Sequence, residues 1–457
     1  IKAGKAMTIY HDLKLDKLDC TVAIIKNAKS NKMGVKDIIK VECPIENLDL
    51  DILGFIDHNI TVNIIKDEKI VEKRILKLPK QITNVIKCKN PRCITSIEQG
   101  LDQVFILADP EKEVYDALLD QYEKGMDSAT IDRLFEELKQ ELIPLGKNIL
   151  AAKQPDDGKF HASFDVNAQK EVEKLLLSYI GFDWERGTTG ESTHPFTLNF
   201  SSKDVRVTNH FYEHDPLSAM YSAIHEGGHA IFEQNVNPDY EGTRAESCEY
   251  MGIHESQSRF YENILGRNKN FWVPIYEKLC ACIPEYRDIS LNEFYHEINH
   301  VRNSLIRTEA DEVTYCFHII LRYEIEKEIF RNHVPVDRLP EIWRDKMQEY
   351  LGICPKSDAE GILQDMHWSD GSFGYFPSYL LGSIYDGMYL EQIEKELGSV
   401  DEILASGEIA KITHWLNEKI HRYGSMREPK EVIQAVCGKE VSAAPLIRYF
   451  KKKYRRV

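Results

Sequence analysis

His225-Glu226-Gly227-Gly228-His229 places two imidazoles one helical turn apart with a carboxylate between them. Side chains four residues apart project from one face of a helix, so both rings can grip a single divalent cation while Glu226 stands beside it as a general base. Two imidazoles, one further protein donor and an open position make up the ligand set of a catalytic Zn²⁺. The flanks predict the helix itself. Asp215 is a capping residue, Pro216 suits the first helical position, and Leu217 to Phe232 contains no further proline. Two adjacent glycines inside a helix each cost roughly 1 kcal/mol relative to alanine, which makes sense where a substrate backbone or another element must come close. The competing reading is a chance pattern on an amphipathic helix.

A third donor has to come from elsewhere in the chain. The next acidic cluster is Glu246, Glu249 and Glu255. Glu255 lies in Gly252-Ile253-His254-Glu255-Ser256-Gln257, a segment that reads as helical through Asn263. A second helix crossing the first could present one carboxylate to the metal, and Glu255 is the best placed. Spacing alone does not choose between Glu255, His254 and Glu249. The plainer role for Glu255 is a solvated ion pair with Arg259 at i+4.

The elements that must carry these groups are mostly helical. From about Val114 onward apolar residues recur at three- and four-residue spacing, as in Tyr115-Leu118-Leu119-Tyr122, Ile131-Leu134-Phe135-Leu138 and Phe317-Ile320-Leu321-Tyr323-Ile325. Lys153 to Gly158 and Trp184 to Gly190 read as turn material between helices. Phe160 to Phe164, Thr197 to Phe200 and Val205 to Thr208 predict a small sheet just ahead of the His-Glu helix. Residues 1–113 differ. Thr21 to Ile25, Asp37 to Val41 and Ile60 to Ile65 are short β-rich runs, Ser30 to Gly34 is a polar turn, and Leu48 to Phe55 reads as a short helix. The expected fold is therefore mainly α, with a small sheet, over 114–457, preceded by a small α+β domain over 1–113.

Composition narrows the function. The chain has 457 residues, long enough for two or three domains or for one large helical domain with an appendage, and its 42% hydrophobic content is ample for a packed core. Of the net charge of −16, residues 1–113 contribute +2 and the remainder −18, which argues against nucleic acid as a partner of the larger part. No run approaches the ~18 apolar residues of a membrane span, and no basic-then-apolar secretion signal is visible. The ten cysteines are scattered rather than framework-like, so a reducing cytoplasm is expected.

Further motifs follow the metal helix in a set order: His254-Glu255-Ser256-Gln257, Ile306-Arg307-Thr308-Glu309-Ala310-Asp311, Gly361-Ile362-Leu363-Gln364-Asp365-Met366-His367-Trp368, and Gly374-Tyr375-Phe376-Pro377-Ser378-Tyr379-Leu380-Leu381-Gly382. His194-Pro195-Phe196 and Asp204-Val205-Arg206-Val207-Thr208 precede it. In this order they resemble the thermostable (Taq-type) zinc carboxypeptidases over about 114–457. The resemblance implies a helical, zincin-type peptidase domain enclosing a deep groove, acting on peptides with a free C-terminus, with broad specificity and commonly as a homodimer. It implies one Zn²⁺, replaceable by Co²⁺ or another divalent ion, held by His225, His229 and Glu255, with Glu226 as general base. Arg307 would receive the terminal carboxylate, and His367 and Tyr379 would line the site. The plainer roles are an Arg307–Asp311 pair across one turn, a buried His367-Trp368 pair and a core position for Tyr379.

Over about 1–113, Gly34 to Glu42, Ile60 to Ile65, Val71-Glu72-Lys73, Leu78-Pro79 and Cys88-Lys89-Asn90-Pro91-Arg92-Cys93 are similar to the regulatory chain of aspartate carbamoyltransferase. That resemblance implies nucleotide phosphates at Lys40 and Lys73 and a four-cysteine zinc. Only the pair Cys88 and Cys93 is present, and Cys280-Ala281-Cys282 has the wrong spacing, so any zinc there is vestigial. The start of the regulatory domain and the first helices of the peptidase family are both expected to be missing, leaving two shortened pieces joined head to tail. A gene fusion and an assembly accident both give that pattern. The rival functions are a nucleotide-effector module, an endopeptidase using the same helix, and an inactive fusion that only binds metal.

Overall fold

A computed structural model describes residues 1–30, 34–45, 48–57, 60–86, 101–106, 114–152 and 158–455. They divide into two compact units, Ile1–Lys112 and Glu113–Val457.

The first unit holds α1 (Ala6–Asp12), β1 (Thr21–Ser30), β2 (Gly34–Glu42), α2 (Leu50–Ile56), β3 (Thr61–Lys66), β4 (Lys69–Ile75), β5 (Gln81–Thr83) and β6 (Val104–Ile106). Among the described residues its strands pair antiparallel as β1–β2, β3–β4 and β5–β6, three two-stranded sheets. Asp49 caps α2 by accepting from the amides of Asp51 and Ile52, which fixes the start of the helix expected near Leu48. Among the described residues a buried apolar cluster is formed by Ile9, Leu53, Ile60 and Leu76. Lys40 and Lys73 are both exposed, one on the β1–β2 sheet and the other on β3–β4. Cys88 and Cys93 lie outside the described residues.

The second unit is helical, beginning with α3 (Val114–Leu119), α4 (Ser128–Ala151) and α5 (Val166–Ile180). Ile131, Leu134, Phe135 and Leu138 of α4 are all buried, as their spacing requires. A three-stranded sheet follows, built from β7 (Gly187–Glu191), β8 (Phe196–Ser201) and β9 (Asp204–Asn209) in the order β7-β9-β8. β9 pairs parallel with β7 and antiparallel with β8, so β8 is an edge.

Two local expectations are corrected. Phe160 to Phe164 is not a strand. It is a 3₁₀ turn (Gly158–His161) followed by irregular chain, with both phenyl rings packed edge-on against Tyr286. The apolar residues there serve an aromatic cluster, not a ladder. Conversely, Gly187 to Gly190, the second half of the stretch read as turn material, lies in a strand. A Cβ at Gly187 would lie 2.4 Å from both the Phe182 ring and the Val205 carbonyl, so glycine permits the close approach to β9.

Beyond the sheet run α6 (Pro216–Gln234), α7 (Met251–Arg259), α8 (Thr314–Phe330) and α9 (Phe376–Leu397). α8 is buried nearly all round, which is why its apolar residues exceed a single stripe. Among the described residues no helix is long and apolar enough to cross a membrane.

Two carboxyls are walled in where these helices meet. Glu123 accepts from Tyr385 Oη and the Gly252 amide, both at 2.8 Å. Glu326 accepts from Tyr115 Oη and Trp368 Nε1, each at 2.7 Å, and from the Gly374 amide. Burial outweighs these hydrogen bonds and pushes each carboxyl up to about 7. In the unfolded chain each loses its proton near 4.5, whereas the fold retains it to about 7. Their contribution to stability is therefore complete below the lower value, declines as pH rises between the two, and then levels off. Chemical denaturation should show stability falling by about 3 kcal/mol per carboxyl across that window. Glu123→Gln and Glu326→Gln should each flatten the slope; an unchanged slope in both would contradict the assignment.

Candidate active site

The metal helix forms where its caps predict. Asp215 accepts from the Ser218 amide at 3.1 Å, and Pro216 opens α6. His225 and His229 then share a face, with ring centroids 5.0 Å apart. The glycines between them explain what approaches. A Cβ on Gly227 would meet the side-chain ends of Ile180 and Leu177 on α5, at 2.6 and 2.7 Å. On Gly228 it would meet backbone of α7, 2.7 Å from both the Gln257 carbonyl and Ser258 Cα. Flexible methyls can yield; a helix backbone cannot. Gly228→Ala should cost about 1–3 kcal/mol and push α7 away, weakening metal binding, whereas Gly227→Ala should be milder. Denaturation and chelator competition on the two variants check this, and equal effects would contradict it.

That close crossing brings Glu255 to the histidines. Its Oε2 lies 3.6 Å from His229 Nε2 and 3.9 Å from His225 Nε2. Its Oε1 accepts from Arg259 Nε at 2.6 Å, so the i+4 ion pair and the approach to the imidazoles use different oxygens. Burial alone would raise Glu255; the Arg259 guanidinium and the two imidazoles override it and hold the carboxyl well below its usual range. One donor atom from each of His225, His229 and Glu255 lies within 4.8 Å of the others, and the three could hold a metal ion. Two imidazole nitrogens, freed of their protons as the ion binds, and an ionised carboxylate oxygen suit a divalent cation with a position to spare. The other candidates are engaged elsewhere. Glu249 is exposed and paired with Arg244, while His254 Nδ1 sits 2.7 Å from His229 Nδ1.

Neighbours of these groups escaped the sequence. Glu262 Oε2 is 2.8 Å from His225 Nδ1, which directs Nε2 of that ring toward Glu255. It stands seven residues after Glu255, on a π-helical turn (Phe260–Leu265) continuing α7. That spacing was the available signal. Thr197, on β8, donates to Glu226 Oε2 at 2.7 Å. The His194-Pro195-Phe196 and Asp204-to-Thr208 motifs build this strand pair: the Phe196 amide donates to Thr208 Oγ1 at 3.1 Å.

Arg307 lies on a 3₁₀ turn (Arg307–Glu309) and not on a helix, so Asp311 is not its partner. Asp311 instead caps α8 through the amides of Val313 and Thr314. Nε of Arg307 donates to Asp365 Oδ1, and Nη1 to Tyr315 Oη, both at 3.0 Å. Asp365 is shared with the fully buried Arg322. The Arg307 guanidinium lies 4.8 Å from the Tyr379 ring centroid. Tyr379 lines the site, but His367 does not. His367 stands behind it, with Nε2 3.0 Å from Tyr379 Oη and its ring stacked on Phe376. Burial and the nearby Arg307 charge lower His367 to about 4, so it meets the tyrosine as a neutral ring.

His225, Glu226, His229, Glu255, Arg307 and Tyr379 all face one groove of about 1150 Å³. A divalent cation at one place and a buried guanidinium at another, within one groove, can polarise a carbonyl and fix a carboxylate on the same ligand.

Residues 94–454 match the family described as Carboxypeptidase Taq (M32) metallopeptidase, and residues 1–77 match the aspartate carbamoyltransferase regulatory chain, allosteric domain. Carboxypeptidase 1 of Bacillus subtilis is 45% identical over 346 residues, covering 75% of this chain and 69% of that protein. A solved carboxypeptidase from Pyrococcus furiosus superposes with a TM-score of 0.72 at 37% identity, covering 76% of this chain and 70% of that one. The aspartate carbamoyltransferase regulatory chain of Clostridium acetobutylicum is 53% identical over 115 residues, which is 25% of this chain and 78% of that one. The chain thus belongs to the Taq-type metallocarboxypeptidases, a family of peptide hydrolases, and carries at its amino end a segment of the aspartate carbamoyltransferase regulatory chain.

Proposed function

We propose that the protein releases the C-terminal residue of peptides with one Zn²⁺ held by His225, His229 and Glu255, and with Glu226 as general base. The observation that carries this reading is the convergence of both imidazole Nε2 atoms on Glu255 Oε2, at 3.9 and 3.6 Å. When bound, the ion supplies Lewis acidity to the scissile carbonyl and to the attacking water. Glu226, steadied by the Thr197 hydroxyl, takes the proton from that water and returns it to the leaving amine. No covalent enzyme intermediate is required.

Arg307 receives the terminal carboxylate, with Asp365 and Tyr315 fixing the orientation of its guanidinium. The Tyr379 hydroxyl, held by His367, donates to the carbonyl oxygen as charge develops there, a role often worth about 3 kcal/mol. Recognition through a backbone carboxylate rather than a side chain favours broad specificity. A homodimer and a cytoplasmic setting are proposed on family grounds.

Chelation tests the reading. Removing metal should abolish residue release from a free-ended peptide, and one equivalent of Zn²⁺ should restore it. Release that persists after metal is stripped to background would contradict the reading.

A further inference from the structure

The two imidazoles are supported differently, and the difference reaches back to the sheet. His225 has a carboxylate directly at Nδ1, whereas His229 has another imidazole there. If His229 gives Nε2 to a metal, as the proposed function requires, its ring proton sits on Nδ1. That atom is 2.7 Å from His254 Nδ1, which must then accept, leaving the His254 proton on Nε2. Nε2 of His254 is in turn 2.7 Å from Glu233 Oε1, and the other Glu233 oxygen accepts from Asn199 Nδ2 at 2.7 Å. Each donor in the series faces an acceptor. Glu233 is 4% exposed, a depth at which an unpartnered carboxylate would be costly.

The placement has a second regularity. Thr197 and Asn199 are two residues apart on β8 and so share one face of the strand. Glu226 and Glu233 are seven apart on α6 and share one face of the helix. One strand face therefore offers a hydroxyl to the base and an amide to the residue behind the metal ligand.

We propose that Asn199, Glu233 and His254 are positioning residues, forming a relay that locks the tautomer and ring angle of His229 and ties it to the strand that also holds Glu226. His254 thus acts behind a ligand and not as one. Partners of this kind typically contribute 10–100-fold in metal affinity.

The test uses the full chain, Zn²⁺ alone as probe, chelator competition for affinity, and nitrogen-15 shifts of the histidine rings in the zinc-loaded protein. His254→Ala should weaken zinc about 10–100-fold. His254→Asn keeps an acceptor where Nδ1 stands but loses the link to Glu233, and should fall between parent and alanine variant. Glu233→Gln, which keeps the shape and removes the charge, should weaken zinc several-fold. In the unaltered protein His254 should carry its proton on Nε2 alone, a readout that needs no variant to fold. Zinc affinities within about twofold of the parent in all three variants, or a His254 proton on Nδ1, would overturn the relay. Unchanged zinc affinity in His229→Ala would instead overturn the metal-site reading, and the relay with it.

Discussion

Glu226→Gln is expected to lower turnover by about 10²–10⁴-fold while one metal ion per chain stays bound. The substitution is nearly isosteric, and a glutamine oxygen can still accept the Thr197 hydroxyl that now meets Glu226 Oε2 at 2.7 Å. Packing around α6 should be undisturbed, because Glu226 lies at the groove and not within a ligand set. An amide cannot take a proton from water at neutral pH, so the chemical step fails while binding survives. Metal content and C-terminal residue release, measured on one preparation, separate the two effects. Equal release by both proteins would remove Glu226 from its role. Loss of metal from the variant would move it into the ligand set.

Arg307→Ala should lower kcat/KM on a free-ended peptide by about 10²-fold or more, since it removes one partner of a buried charge-assisted pair. The fold should tolerate the change, because Asp365 retains the fully buried Arg322. Selectivity is the sharper readout. The unaltered enzyme should prefer a free carboxylate over the amidated form of the same peptide, and the variant should lose most of that preference. Arg307→Lys should recover little, because a point charge cannot engage Asp365, Tyr315 and a substrate carboxylate in one plane. An enzyme that cleaves free and amidated peptides equally would be an endopeptidase, and the proposed role of Arg307 would fall.

What the sequence disclosed was mostly local. The imidazole pair, the Asp215 cap and the Pro216 start are all fixed within one helix, so spacing and propensity suffice to read them. The glycine pair announced a close approach without saying of what. Its answer, two helices, depends on residues some 30–50 positions away in the chain. Glu255 could be nominated by its helix but not separated from His254 and Glu249, because that choice depends on how α7 crosses α6 at Gly228.

The plainer role weighed for Arg307, a pair with Asp311, fails for a related reason. A helical turn would have brought Asp311 to it, but the chain there is a 3₁₀ turn and Asp311 is consumed as a cap. The roles of Thr197, Asn199, Glu233 and His254 leave no sequence signature, since each is defined by what faces it across the sheet and helix. In the first unit, β-rich runs located β1, β2 and β3 but not β4, β5 or β6, and the division of the described residues into three two-stranded sheets follows from pairing, which short runs do not encode.

Anomalous diffraction from zinc-loaded crystals tests the central claim most directly. One zinc peak is expected about 2.0–2.2 Å from His225 Nε2, His229 Nε2 and a Glu255 oxygen, with the fourth position facing the groove. A peak coordinated by other residues, or none at this trio at full zinc occupancy elsewhere, would contradict the account.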